Sequence, residues 1–173
     1  MTLSDVQTLI CDVPDFPEPG IVFKDITPLL ADPKGFATVI DHLAERAGAY
    51  AADAILGIES RGFIFGAALA SRMKLPLFLV RKRGKLPRQT VSIAYELEYG
   101  VDHLEVHSDV IVHDKRYLIV DDVVATGGTA EATGKLVEQQ GGEVAAFVFV
   151  IELSFLAGRD KLRQWPVDSL ITY

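Results

Sequence analysis

Asp121 and Asp122 stand side by side directly after the apolar run Leu118-Ile119-Val120, and a small-residue turn follows at Ala125-Thr126-Gly127-Gly128-Thr129. The run has the length and β-branching of a buried strand, which is expected to leave the sheet at the acidic pair. Beyond the turn, Ala132, Leu136 and Val137 recur at helical spacing. A strand, an acidic pair, a Gly/Thr turn and a helix N-terminus together make a site for a phosphorylated sugar. The turn's backbone N–H groups and the helix dipole favour a phosphate, and the threonine hydroxyls add donors. With the donors so used, Asp121 and Asp122 suit ribose hydroxyls or a divalent cation. Side chains of adjacent strand residues point to opposite faces, so a regular strand would let only one of the two meet the ribose.

Other nucleotide motifs fail on inspection. Gly57 to Gly62 has the glycine spacing of a Walker loop, but Phe63 and Ile64 stand where Lys and Ser/Thr are required. No G-x-G-x-x-G follows a strand. A basic run, Arg81-Lys82-Arg83-Gly84-Lys85, stands out in a chain of net charge −7 and is suited to a polyanionic substrate. The same net charge argues against a general nucleic-acid or membrane binder.

The elements that must position these residues read as one α/β domain of 173 residues, enough for a single core. The segments 54–58, 77–80, 118–120, 144–151 and 169–171 read as strands. A helix is expected over 63–73, and another opens at Asp32-Pro33 with Phe36, Val39, Ile40 and Leu43 on its apolar face. Strands alternating with helices imply a parallel, doubly wound sheet of about five strands. Ligands of such sheets bind beyond the carboxyl ends of the strands, so the loops 59–62, 81–85 and 121–129 are expected to share one crevice. Residues 85–114 break the alternation and read as a projecting flap hairpin, with few core contacts expected over 85–99. Ser4 and Gln7 suggest a capping box opening a helix to about Asp12, with Cys11 packed on its apolar face. Three prolines make 13–19 an extended loop. One cysteine excludes an internal disulfide, and the four histidines have no metal-ligand spacing. No signal-peptide pattern or membrane-length apolar stretch is seen, and the cytoplasm is the expected compartment.

Val120 to Thr129 resembles the phosphoribosyl pyrophosphate fingerprint of the type I phosphoribosyltransferases. Four further segments are similar to the members of that family that act on adenine. They are Asp15-Phe16-Pro17-Glu18-Pro19-Gly20-Ile21-Val22-Phe23-Lys24-Asp25-Ile26-Thr27-Pro28, Gly57-Ile58-Glu59-Ser60-Arg61-Gly62-Phe63, Arg81-Lys82-Arg83-Gly84-Lys85-Leu86-Pro87 and Leu97-Glu98-Tyr99-Gly100. The resemblance implies the type I phosphoribosyltransferase fold, with a flexible flap over 85–114 and a small N-terminal hood, 1–30, that binds the base. It implies a homodimer converting adenine and 5-phosphoribosyl 1-pyrophosphate to AMP and pyrophosphate, with Mg²⁺ carried by the substrate's pyrophosphate. Asp121 or Asp122 would touch the metal only through water.

Residue by residue, the resemblance gives Ala125 to Thr129 the 5-phosphate. Glu59 and Ser60 bind substrate, and Arg61, Arg81, Lys82 and Lys85 are the candidates to neutralise the leaving pyrophosphate. Arg61, Asp121, Asp122 and Glu98 are catalytic, with Glu98 exchanging a proton at N7 of the base and Tyr99 beside it. Phe23 stacks on adenine, Val22 offers its backbone, and Lys24 replaces the arginine expected there. A cis peptide is implied at Ser60–Arg61, and Arg81 or a neighbour is implied to reach the partner subunit. Two rival readings share the phosphate loop: a phosphoribosyltransferase for hypoxanthine, guanine or xanthine, and a non-catalytic sensor of phosphoribosyl pyrophosphate. The sensor would need a nucleic-acid module that a chain this short and acidic does not show.

Overall fold

Apolar, β-branched runs separated by helices give a sheet covered on both faces. In the computed structural model, which describes residues 1–96 and 100–173, the chain forms two units, Met1–His42 and Leu43–Tyr173.

The first unit opens with α1 (Leu3–Gln7), capped by Thr2 in a capping box with Asp5. The box sits two residues earlier than the Ser4 expectation. The helix also stops at Gln7, because the Thr8 hydroxyl turns back onto the Asp5 carbonyl at 2.7 Å. Cys11 is therefore not on a helix: it is exposed on β1 (Cys11–Pro14), which pairs antiparallel with β2 (Val22–Asp25). The proline segment thus begins as a strand, with Pro14 at its end, where a missing donor costs little. The turn between the strands has Asp15 and Gly20 at positive φ, a cis Phe16–Pro17 bond, and a 2.7 Å hydrogen bond from Gly20 N–H to Asp15 Oδ1. After α2 (Thr27–Ala31) comes α3 (Pro33–Ala47). Asp32 accepts from the Gly35 N–H at 2.7 Å, the cap expected of Asp-Pro.

The second unit holds β3 (Ala54–Ile58), α4 (Gly62–Met73), β4 (Leu77–Lys82), β5 (Thr90–Glu96), β6 (Val101–His107), β7 (Arg116–Val124), α5 (Gly128–Gln139), β8 (Glu143–Glu152) and β9 (Val167–Thr172). They form one sheet in the order β5-β6-β4-β3-β7-β8-β9. The five strands from β4 to β9 run parallel, as expected, and β6 joins β4 antiparallel. The flap hairpin therefore extends the sheet. Leu104 and Val106 on β6 are fully buried, while Val91, Ile93 and Tyr95 on β5 pack against the same core. The expectation of few core contacts over 85–99 fails because Val91, Ile93 and Tyr95 alternate along β5 and make a core face at strand period.

β8 is buried along nine of its ten residues. At the far edge of the sheet, Arg46 donates to the Ser169 carbonyl of β9 at 2.9 Å and pairs with Asp168. On α5, Gly134 faces the rings of Trp165 and Phe147, and an added Cβ would stand 2.8–3.0 Å from them. Gly→Ala inside a helix is worth about 1 kcal/mol, but overpacking against large rings costs about 1–3 kcal/mol. Gly134→Ala should therefore lower the free energy of unfolding in urea, by up to about 2 kcal/mol. A variant as stable as the parent would show that the Trp165 ring can withdraw.

Candidate functional site

β7 does not stop at the carboxylates. Asp121 pairs with Phe149 and Val123 with Ile151, so the ladder runs on to Val124. The reason is the next apolar pair, Val123-Val124, which continues the strand and buries Val124. The expectation of an acidic pair at the strand's exit is corrected accordingly: Asp122 is only 3% exposed.

A buried carboxylate requires a partner, and Asp122 has one in Arg61, Nε to Oδ2 at 2.9 Å. Arg61, which the resemblance assigns to the pyrophosphate, is thus held by one of the two acids it assigns to catalysis. Asp121 accepts the Asp122 N–H at 2.8 Å. Burial, followed by the charge of Asp122 and a hydrogen bond with it, pushes the Asp121 carboxyl well above the ordinary carboxylate range; the Asp122 N–H and Arg61 oppose this. The two acids are therefore unlike: Asp122 is ion-paired with Arg61, while the Asp121 carboxyl is raised above the ordinary carboxylate range.

Arg61 reaches β7 because α4 approaches it closely. A Cβ on Gly62 would meet Asp121 Oδ1 at 2.7 Å and the Val120 carbonyl at 2.8 Å. On the other side, Gly66 lies against Gly57 of β3, its notional Cβ 3.4 Å from the Gly57 Cα. The Walker-like glycine spacing is thus explained by helix-to-strand contact.

The turn after β7 is a built anion cradle. Gly127 precedes α5 at φ +77°, a conformation open to glycine at no cost, and its carbonyl receives the Glu131 N–H at 2.9 Å. The first N–H groups of the twelve-residue α5 then point outward at its N-terminus. Ala125, Thr126, Gly127, Gly128 and Thr129 line one cavity of about 360 Å³ with Glu59, Ser60, Arg61, Asp121 and Asp122. The convergence expected of two strand-end loops is therefore observed.

The third loop supplies paired cations. Arg81 Nε donates to Glu59 at 3.1 Å and its Nη1 to the Lys85 carbonyl at 3.1 Å. The Lys82 N–H also donates to Glu59, at 3.0 Å, and its ammonium pairs with Asp102 of β6 at 3.0 Å. Burial opposes ionisation of Glu59, but the Lys82 and Arg81 hydrogen bonds outweigh it and hold the carboxyl below its usual value. The Asp102 carboxyl is held low by the His103 N–H and by Lys82. Lys85 is exposed. These three basic residues do not line the cavity of the phosphate turn. The cis peptide lies at Glu59–Ser60, one bond before the expected Ser60–Arg61. Glu59 is the last residue tied to the neighbouring strand, through its N–H and the Val80 carbonyl at 2.9 Å, and the chain turns immediately after it.

Val22, Phe23 and Lys24 lie on β2 of the first unit. Phe23 meets Phe16 edge-on, ring centroids 5.2 Å apart, beside a pocket of about 210 Å³ with Val13 and Asp25. Lys24 pairs with Asp12. Glu98 and Tyr99 lie outside the described residues. Among the described residues no three His, Cys, Asp or Glu side chains converge as a metal cage.

Residues 26–170 match the family model of the phosphoribosyl transferase domain. The adenine phosphoribosyltransferase of Chloroflexus aurantiacus is 52% identical over 173 residues, covering 100% of both chains. That of Nostoc punctiforme is 52% identical over 171 residues, 98% of this chain and 99% of its own. Among solved structures, the adenine phosphoribosyltransferase of Thermoanaerobacter pseudethanolicus superposes with a TM-score of 0.97 at 49% identity, over 99% of this chain and 100% of the other. The Saccharomyces cerevisiae enzyme, complexed with an imino-altritol bisphosphate and adenine, gives a TM-score of 0.91 at 41% identity over 97% of each chain.

The unlike acids predict unlike variants. Between the ordinary carboxylate range and the raised folded value of Asp121, the folded chain binds that proton more tightly than the unfolded chain. Stability therefore falls as pH rises through this window. Asp121→Asn should flatten that fall and unfold at a urea concentration no lower than the parent at pH 7. Asp122→Asn takes the charged partner from Arg61 and should cost about 1–3 kcal/mol. Equal urea midpoints for the two variants would overturn the asymmetry.

Proposed function

The chain belongs to the phosphoribosyltransferase family, and on that premise we propose that it is a salvage enzyme making AMP and pyrophosphate from adenine and 5-phosphoribosyl 1-pyrophosphate. The observation that carries the reading is the single cavity in which the phosphate turn, the acidic pair and Arg61 meet. Full-length relatives at about half identity, all named as adenine enzymes, support the choice of base.

The reaction forms a bond between N9 of adenine and C1 of the ribose as the C1–O bond to pyrophosphate breaks. Pyrophosphate leaves with the electron pair, and positive charge develops at C1. Ala125 to Thr129 anchor the 5-phosphate through backbone N–H groups and threonine hydroxyls, which fixes C1. Asp122, ion-paired with Arg61, and Asp121 both line the cavity that would receive the ribose, where negative charge favours the cationic transition state. Arg61, with Arg81, Lys82 and Lys85 from the neighbouring loop, neutralises the leaving pyrophosphate as Glu59 and Asp102 give way to it.

The donor set suits Mg²⁺ held mainly by substrate oxygens, with Asp121 or Asp122 reaching it through water; when bound, the metal adds positive charge to the leaving group. By family likeness the N-terminal region 1–30 binds the base, with Phe23 as the stacking ring, Val22 as a backbone contact and Lys24 beside them. Glu98 exchanges the proton at N7, with Tyr99 adjacent. We place the enzyme in the cytoplasm as a homodimer; no described helix is long and apolar enough to cross a membrane.

Incubating the purified protein with Mg²⁺, phosphoribosyl pyrophosphate and each purine base should yield nucleotide fastest with adenine. Equal or faster turnover of hypoxanthine, guanine or xanthine would move the assignment to another base. Glu98→Gln should lower turnover by about 10²–10⁴-fold and flatten the pH–rate profile, with affinity for phosphoribosyl pyrophosphate nearly unchanged. Near-normal turnover of that variant would leave Glu98 with no role in proton transfer.

A further inference from the structure

The phosphate turn does not hold its shape alone. Its support is the segment after β8, where two short 3-10 turns (Ser154–Leu156 and Gly158–Leu162) follow one another. A Cβ on Gly158 would stand 2.1 Å from the Ala125 carbonyl oxygen and 2.8 Å from the Gly127 nitrogen. A Cβ on Gly127 would stand 2.3 Å from the Gly158 oxygen. The two backbones thus lie against each other with no room for a side chain on either. One step back along both stretches, Leu153 N–H donates to the Val124 carbonyl at 3.0 Å.

Gly158 is itself tied down. Its neighbour Arg159 forms a bidentate pair with Glu152 at the end of β8, Nε to Oε1 at 2.8 Å and Nη2 to Oε2. The same guanidinium donates to the Val167 carbonyl of β9 at 2.8 Å. Glu152 is only 7% exposed, and the Arg159 hydrogen bond holds its carboxyl below the usual range against the effect of burial. On the other side Leu162 is fully buried in the core. The sheet edge, Arg159, Gly158 and the phosphate turn therefore form one continuous chain of contacts.

We propose that Gly158 and the Glu152–Arg159 pair are positioning residues of the phosphate site, bracing the Ala125–Gly127 backbone so that its N–H groups are already aimed when the ligand arrives. The inference rests on the reading that this turn receives the 5-phosphate. An unbraced turn would have to be ordered by the ligand, at the expense of affinity. The loss should fall on phosphate-bearing ligands and spare the base.

The test titrates ribose 5-phosphate by calorimetry into the wild type and the Arg159→Ala, Glu152→Gln, Gly158→Ala and Arg163→Ala variants. It also measures KM for phosphoribosyl pyrophosphate and for adenine. Arg163, an exposed residue of the same segment paired with Asp160, is the control. Arg159→Ala and Glu152→Gln should weaken ribose 5-phosphate about tenfold and raise KM for phosphoribosyl pyrophosphate to match, with KM for adenine within about twofold. Gly158→Ala should weaken it further, and Arg163→Ala should match the wild type. If Gly158→Ala does not fold, Arg159→Ala decides. Wild-type affinity in Arg159→Ala and Glu152→Gln, with or without a lower melting temperature, overturns the brace. A wild type that makes no AMP overturns the transferase reading, while the ribose 5-phosphate titration still decides the brace.

Discussion

A carboxylate buried on a strand beside a second carboxyl needs a cation close by, and Arg61 is that cation for Asp122. Much of the site's architecture follows from this need. Arg61 must come from the start of α4, so α4 must press against β7, so residue 62 must be glycine: any Cβ would meet Asp121 Oδ1 and the Val120 carbonyl. Gly57 and Gly66 extend the same close approach to β3. The cost of burying Asp122 is offset locally by Arg61, while the Asp121 carboxyl beside it is pushed well above the ordinary carboxylate range.

The same logic recurs around the crevice. Arg61 lies on Asp122, Arg81 on Glu59 and Lys82 on Asp102. Each of these three cations is held by a protein carboxylate, which spares it an unpaired charge while fixing where it stands. In the reaction proposed above, the phosphate oxygens of the substrate would replace these carboxylates without having to order the side chains from solution. The Arg81 and Lys82 pairs are partly exposed, whereas Arg61 meets a carboxylate that is buried.

The parallel strands were legible because each is a short apolar run set off by helix signals, and Asp32-Pro33 marked a helix start through side-chain chemistry alone. Ala125 to Thr129 were legible for the same reason: a positive φ at Gly127 and a helix N-terminus leave local traces. What the sequence hid was tertiary. The strand through Asp121 and Asp122 continues because Val123 and Val124 find partners on β8, and an acidic pair reads locally as a terminus. Cys11 reads as helical beside Leu3 and Ile10, although a single threonine ends the helix before it. Gly158 carries no motif; only the backbone it touches, some thirty residues earlier in the chain, shows why a side chain is excluded. The β5–β6 hairpin looked like a surface excursion because its alternation is that of a half-exposed strand, and the buried half was underweighted.

The outer rim of β9 has a consequence for how copies of this chain meet. An open sheet edge offers a row of unpaired carbonyls and N–H groups onto which another strand can zip. On β9 the outward carbonyls of Val167 and Ser169 are already taken, by Arg159 and by Arg46. A stranger's strand would have to strip two guanidinium groups from this border before it could add itself. The arginines thus act as a selvedge, the finished margin that keeps a woven sheet from being extended, and they protect a strand near the end of the chain from templated aggregation.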